Sequence, residues 1–479
     1  MDNFSNSKRL ILIVTIIASG MGFLMTSAVN IALPSIKAYF AVDFSMIQWI
    51  LNSYILALGS LMLLSGSLAD KFGTKKIFNL GIMIFGLASV ICGFATNAIF
   101  LILFRVVQGI GAALMIPGSL SVINRTFEKR GRAIGLWAGI SGAVAAAGPF
   151  LGGWINDVLS WRFIFFLFFP LAFLTYFLSR RYLPEFKTQK KTLDILGTLL
   201  VFTSFALLSY GLIKAPSLGW DDPIIVSSLL ISSILFVIFL IFEYNTANPM
   251  FPIDILKDKE ILGANIITLL IYFDLNTIFV FTNFRLQNYN GFSPTKAGLM
   301  MLTLPLIIAS LSGLSGNFTD KHGPKLQMTI SPLIIGIGLF LVGYSSLIIT
   351  LIGFVLIGAG MAFIIPAITT SALNVEEKKS GAASGLNNTV SRIASLFAVA
   401  LVGSLLVTFF AFAIQDSSAE NKEEILNQKS DLLDIDVGQR EIIRDAYIDA
   451  YKNVLWLPIG LAVLSSLLSL FFYRQRPIL

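Results

Sequence analysis

The chain has 479 residues, of which 56% are hydrophobic and only 13% charged, with 41 Phe and a formal net charge of +7. Soluble domains carry about 25% charged residues, so this composition excludes a water-soluble fold. The basic excess is therefore to be read by its position between apolar runs, and no nucleic-acid partner is expected. Only helices and closed barrels satisfy the backbone inside a bilayer, and these long continuous runs indicate helices.

The apolar runs predict fourteen spans, at 10–33, 46–68, 77–96, 99–121, 133–155, 162–180, 193–214, 223–243, 261–284, 297–316, 327–346, 349–372, 382–412 and 453–473. Lys8 and Arg9 precede a first run with no evident cleavage site, so that span is expected to stay in the protein. An even number of spans puts both termini on one side. Alternate connections carry 22 Lys and Arg on that side and 10 on the other, where Arg285 is counted as a loop cation. By the positive-inside rule both termini are expected in the cytoplasm.

The second span ends in a polar interruption, Gly66 to Lys76, that recurs. Gly66, Asp70, Lys71, Gly73 and Lys75 return as Gly316, Asp320, Lys321, Gly323 and Lys325, each 250 positions later. In the fourth span Gly109, Gly111 and Pro117 are echoed by Gly358, Gly360 and Pro366 at an offset of 249. A fixed register over this distance predicts a duplicated six-span unit. Six spans fill only part of the offset, so the spans at 193–214 and 223–243 are an insertion without counterpart. The expected organisation is a first bundle over 1–180, two inserted helices with flanking linkers over 181–260, and a second bundle over 261–479.

Four mid-span positions carry polar chemistry. Arg105, with Gln108 one turn on, and Arg392 are cations deep in apolar runs, where a charge costs about 2.5–3.5 kcal/mol on insertion scales. Such residues face a cavity or a partner. Asp274 is the one acid near the middle of any span, and the 250-residue ruler sets it opposite Leu24, beside Met25. The segment 414–452 holds ten acidic and five basic residues, and Ile442, Ile443, Ala446, Tyr447, Ala450 and Tyr451 recur at helical spacing, predicting an amphipathic helix on the outer surface.

Other chemistries lack their residues. The lone Cys92 precludes an internal disulfide, the lone His322 has no Cys or His neighbours for a metal site, and there is no phosphate-cradling Walker loop. No metal, cofactor or enzymatic activity is expected.

Taken in order, these motifs resemble the major facilitator superfamily, and within it the fourteen-span drug:proton antiporters of the EmrB/QacA type. The loop from Gly66, the fourth-span set Leu101, Arg105, Gln108, Gly109 and Gly111, the fifth-span set Gly139, Gly148, Pro149, Gly152 and Gly153, and the pair Trp161 and Arg162 carry the resemblance. It implies an all-α membrane protein of two six-helix bundles that alternately exposes a central site. Its implied activity is proton-coupled export of small amphiphilic compounds from a bacterial cytoplasmic membrane, by a monomer. Asp70, Lys71 and Gly73, with Asp320, Lys321 and Gly323, would form conformational latches, and Arg105 would take part in proton transfer. The resemblance departs at one place: where the family commonly has an acid in the first span, five residues before an Asn, this chain has Met25 before Asn30. Asp274 is the candidate substitute, its carboxyl expected to face the cavity, with pairing to Arg392 or Arg105 as the alternative. A uniporter, an exporter of an anionic metabolite and a non-transporting receptor-like protein remain open readings.

Overall fold

The structure is a computed structural model that describes residues 6–127, 130–186, 193–246, 249, 253–344, 346–374, 380–417 and 437–473. Its helices are α1 (Asn6–Phe40), α2 (Phe44–Phe72), α3 (Thr74–Gly93), α4 (Ala98–Thr126), α5 (Arg130–Val158), α6 (Trp161–Tyr182), α7 (Ile195–Leu218) and α8 (Pro223–Asn245). They are followed by α9 (Lys259–Tyr289), α10 (Pro294–Met301 continuing as Thr303–His322), α11 (Lys325–Val342) and α12 (Leu347–Ala372). The last two are α13 (Ser380–Phe397 continuing to Asp416) and α14 (Val437–Phe472). Thirteen described helices are long and apolar enough to cross a bilayer, and α5, with 29 residues, completes the fourteen. We call the side holding Asn6 and Phe472 the terminal face, and the opposite side the far face.

Local signals set the helix ends in matched pairs. Asp43 caps α2 by accepting from the Met46 amide, and Ser293, 250 residues later, caps α10 by accepting from the Lys296 amide. Both helices stop at a glycine with positive φ, Gly73 at 101° and Gly323 at 75°, a conformation that a Cβ would strain.

The duplication extends to packing. A Cβ on Gly109 would strike the Tyr54 carbonyl and Ala57 of α2; one on Gly358 would strike the Leu304 carbonyl and Ile307 of α10. Likewise Gly111 lies against the Gly81 carbonyl and Phe85, and Gly360 against the Ser331 carbonyl and Ile335. Every partner is displaced by 250 and every glycine by 249, so α4 and α12 sit in the same socket of each half. Small residues let these backbones approach, which is how membrane helices gain contact without a hydrophobic driving force.

The inserted α7 and α8 form a hairpin joined by Ser204 and Ser232, each hydroxyl donating to the other residue's carbonyl at 2.9 and 2.8 Å. α7 packs on α2 and α13, while α8 turns Leu230, Ile234, Val237 and Ile241 outward at more than half exposure, as lipid-facing side chains should be.

Two expectations need correction. The amphipathic stretch from Ile442 to Tyr451 does not lie flat on the outer surface, because it is the first part of α14, a single 36-residue helix. Its stripe runs on into the last span without a break, and Ile443 and Ala446 close on Ile414 and Phe410 of α13. Arg285 is not a loop cation: it is 2% exposed in a π-helical turn ending α9, donates to the Val342 and Tyr344 carbonyls, and lies over the Tyr451 ring.

Candidate functional site

Arg105 is fully buried at the centre of the first half. Its Nε donates to the Ile50 carbonyl at 3.2 Å, one terminal nitrogen donates to Gln108 Oε1 at 2.7 Å, and the guanidinium lies 4.2 Å from the centroid of the Tyr54 ring. Gln108 in turn donates to Ser89 Oγ at 2.7 Å. This chain ties α2, α3 and α4 together and leaves Arg105 Nη2 without a partner. A guanidinium suits the position because its fork can donate and stack at once.

Arg392, on α13, is only half-buried. Its guanidinium lies 5.1 Å from the centroid of the Phe23 ring on α1, and its ionisable neighbours are Tyr54 and Tyr272. Its backbone passes Gly59 of α2, where a Cβ would come within 3.3 Å of Arg392 Cβ. The two cations thus stand on either side of Tyr54, one from each half.

Asp274 is 0% exposed, with neither carboxylate oxygen hydrogen-bonded and no ionisable group acting on it. It forms no ion pair with Arg392 or Arg105, and its oxygens are shut off from solvent rather than turned to an open cavity. Two π-helical turns, Ile278–Thr282 and Arg285–Tyr289, follow it on α9; such turns relax the helical ladder and concentrate at functional sites. Met25 is fully buried on α1, and Asn30 contributes its carbonyl to a bond from Asn283 Nδ2 of α9 at 2.5 Å.

At the terminal face, Asp70 pairs with Arg125, from the last turn of α4, at 2.5 Å. Both belong to the first half, so here the loop carboxylate holds α2 to α4. Gly73 supplies the turn and Lys71 lies over the Phe72 ring. Gly323 makes the equivalent turn, whereas the side chains of Asp320 and Lys321 lie outside the described residues.

The fifth-span motif forms a seam on two fronts. Gly148 and Gly152 press on Ser27 and Ala28 of α1, while Gly153 presses on Pro294 of α10, and Gly298 of α10 presses on the Pro149 carbonyl. Gly139 lies on the same helix. The pseudo-equivalent seam joins α2 to α13, and here the 250-residue ruler maps Gly298 onto Gln48, Pro149 onto Val399 and Gly153 onto Gly403. Gln48 Nε2 donates to the Val399 and Ala400 carbonyls at 2.8 and 3.3 Å, and its amide rests on Gly403. One seam is thus closed by touching glycines, the other by an amide inserted at the same place. Sequence reasoning missed Gln48; its position opposite Gly298 was the available signal. Gln287 to the Ile31 carbonyl and Thr295 to Asp157 also join the halves, so the cross-half hydrogen bonds described all lie between mid-depth and the far face.

Comparison with known proteins agrees with this architecture. A family model, Major Facilitator Superfamily, matches residues 15–256 and 264–478. The chain belongs to the major facilitator superfamily. It is 30% identical to the Multidrug resistance protein Stp of Mycobacterium tuberculosis over 84% of this chain and 77% of that protein. To the Puromycin resistance protein pur8 of Streptomyces alboniger it is 31% identical over 82% and 81%. To the Riboflavin transporter RibZ of Clostridioides difficile it is 27% identical over 98% of each. Among solved structures, an inward-facing bacterial homologue of the human lysosomal transporter Spinster superposes with a TM-score of 0.69 at 16% identity, covering 98% of both chains. This superfamily member is accordingly a multi-pass membrane transporter of small molecules and not an enzyme, and its relatives include drug-resistance efflux proteins.

Proposed function

We propose that the protein is a monomeric, proton-coupled exporter of small amphiphilic compounds in a bacterial cytoplasmic membrane, working by alternating access between bundles 1–180 and 261–479, with 181–260 as the inserted pair. The excess of Lys and Arg on the terminal face places both termini in the cytoplasm. The observation that carries the reading is the pair of pseudo-equivalent seams. Both close the far face, so the arrangement is inward-facing, and neither seam has a disulfide or an ion pair to prevent its parting. Relatives named for resistance to puromycin and methylenomycin A support compounds of that kind as cargo.

Asp274 is the proton carrier in this scheme, standing in for the acid that Met25 displaces. A carboxyl without a partner in an apolar core is neutral at low cost and charged only at high cost, so opening of the far face to water governs release of its proton. Arg105 and Arg392 polarise the central space, with Gln108 orienting Arg105 and Asn30 closing the far end. Asp70 with Arg125, and Asp320 in the second half, act as terminal-face latches that change partners as the bundles rock.

The test is flux in proteoliposomes with puromycin, methylenomycin A and riboflavin as probes, with and without an imposed pH gradient. Gradient-dependent accumulation of at least one probe, with counter-movement of protons, is the expected result. Equilibration of a probe regardless of the gradient would replace export by uniport.

A further inference from the structure

A second cavity lies away from the two arginines. It has a volume of about 370 Å³ and is bounded by α2 at Gly59 and Ser60, by α7 and α8, and by α9 and α13. Its walls are almost entirely apolar, with Leu208, Phe236, Leu269 and Ile393 supplying much of the surface. It extends from mid-depth toward the terminal face, directly behind the contact of Gly59 with Arg392, and α7 and α8 stand between it and the surrounding lipid.

The wall contains two hydroxyls that are out of place in an apolar pocket. Ser60 is 3% exposed and Thr389 is 4% exposed, and neither side-chain oxygen has a hydrogen-bond partner. Serine and threonine in membrane helices ordinarily donate to a carbonyl one turn back, as Ser65 and Ser391 do nearby. A buried hydroxyl left unmade costs about 1–3 kcal/mol. The other polar lining groups are occupied: Ser204 and Ser232 bond each other, and Asn265 bonds the Ile261 carbonyl and Asn387. Small-molecule sites span roughly 300–1,000 Å³, are mostly apolar, and orient their ligand by a few placed polar groups. An apolar cavity without enough polar partners does not hold water stably.

We propose that this cavity binds an apolar molecule carrying a carbonyl, oriented by donation from Ser60 and Thr389, and that the inserted hairpin exists in part to enclose it. The chemistry is shared by the acyl ester of a membrane lipid and by a free amphiphile dissolved in the terminal-face leaflet. The site stands independently of the coupling mechanism and of the cargo.

The experiment uses the full chain in vesicles and photolabelling read by peptide mass spectrometry. One arm carries phosphatidylglycerol with a diazirine in mid-acyl chain; the other carries unlabelled lipid and a long-chain methyl ketone bearing the same diazirine. Label concentrated on Phe236, Leu269 and Ile393 over the outward-facing Ile231 and Ile238 in the first arm identifies lipid as occupant; in the second arm alone, it identifies a free amphiphile. Leu208→Trp should abolish the inner label while leaving the outer. Thr389→Val, which keeps the shape, should weaken ketone labelling about two- to tenfold, the effect of one neutral hydrogen bond, and leave labelling by a diazirine alkane unchanged. Equal labelling of inner and outer residues in both arms overturns the proposal. So does inner labelling that survives Leu208→Trp, or equal loss of ketone and alkane label in a monodisperse Thr389→Val protein.

Discussion

Gly153→Ala isolates one seam of the far-face closure. A Cβ at this position would stand 2.7 Å from the Pro294 carbonyl carbon and 3.0 Å from Thr295 Cα, and closer still to the Pro294 oxygen. All three are backbone atoms of α10, so no rotamer change relieves them, and α5 and α10 must separate by about half an ångström or more. Overpacking of this kind costs about 1–3 kcal/mol. The cost falls only on the far-closed state, since the contact parts when that face opens. The gain in helix propensity from alanine applies to both states and cancels. A bias of 1–3 kcal/mol moves a two-state population about 5- to 150-fold. The assay is pulsed electron paramagnetic resonance with spin labels at the far ends of α6 and α12, on the exposed Phe163 and Ile348. Gly153→Ala should transfer population to the longer distance, whereas Gly460→Ala, where nothing lies within 4 Å, should not. Identical distributions for Gly153→Ala and wild type would refute the assignment of this seam as a closure.

The same label pair tests the other seam: Gln48→Leu leaves the Val399 and Ala400 carbonyls without their donor and should favour the open far face by about 1–3 kcal/mol; unchanged distances would show that Gln48 only fills space. Asp70→Asn breaks a partly exposed ion pair worth about 0.2–1 kcal/mol, so thermal stability in detergent should barely move while transport falls more than tenfold, and intact transport would remove the latch role. Arg105→Lys keeps the charge but not the combined donation to Ile50 and Gln108 with stacking on Tyr54. It should lose most transport while remaining monodisperse, and wild-type flux would mean that charge alone suffices.

The architecture was legible because membrane spans are long and the duplication kept its register. The offset between Gly109 and Gly358 predicts sockets that the packing reproduces residue for residue. The inserted hairpin followed from subtraction. The far-face contacts were not legible, because Gln48 and Val399 are separated by 351 positions and neither is unusual by composition. Arg285 was misread because an arginine at a span end looks the same whether it points to water or to backbone carbonyls. The continuity of α14 was missed because charges on one face of its first turns marked an aqueous segment, while the buried face was already helical. Asp274 stood out by its chemistry, but only the structure places its oxygens beyond reach of both arginines.

Asp274→Asn in proteoliposomes tests the coupling scheme most directly. Two fluxes of one transported probe are compared: accumulation driven by an imposed pH gradient, and counterflow exchange at uniform pH. Asparagine keeps the shape of a neutral acid but carries no exchangeable charge. The account predicts that counterflow persists, because the bundles still rock, while gradient-driven accumulation is lost. Accumulation at the wild-type level would contradict it and return the proton to another group.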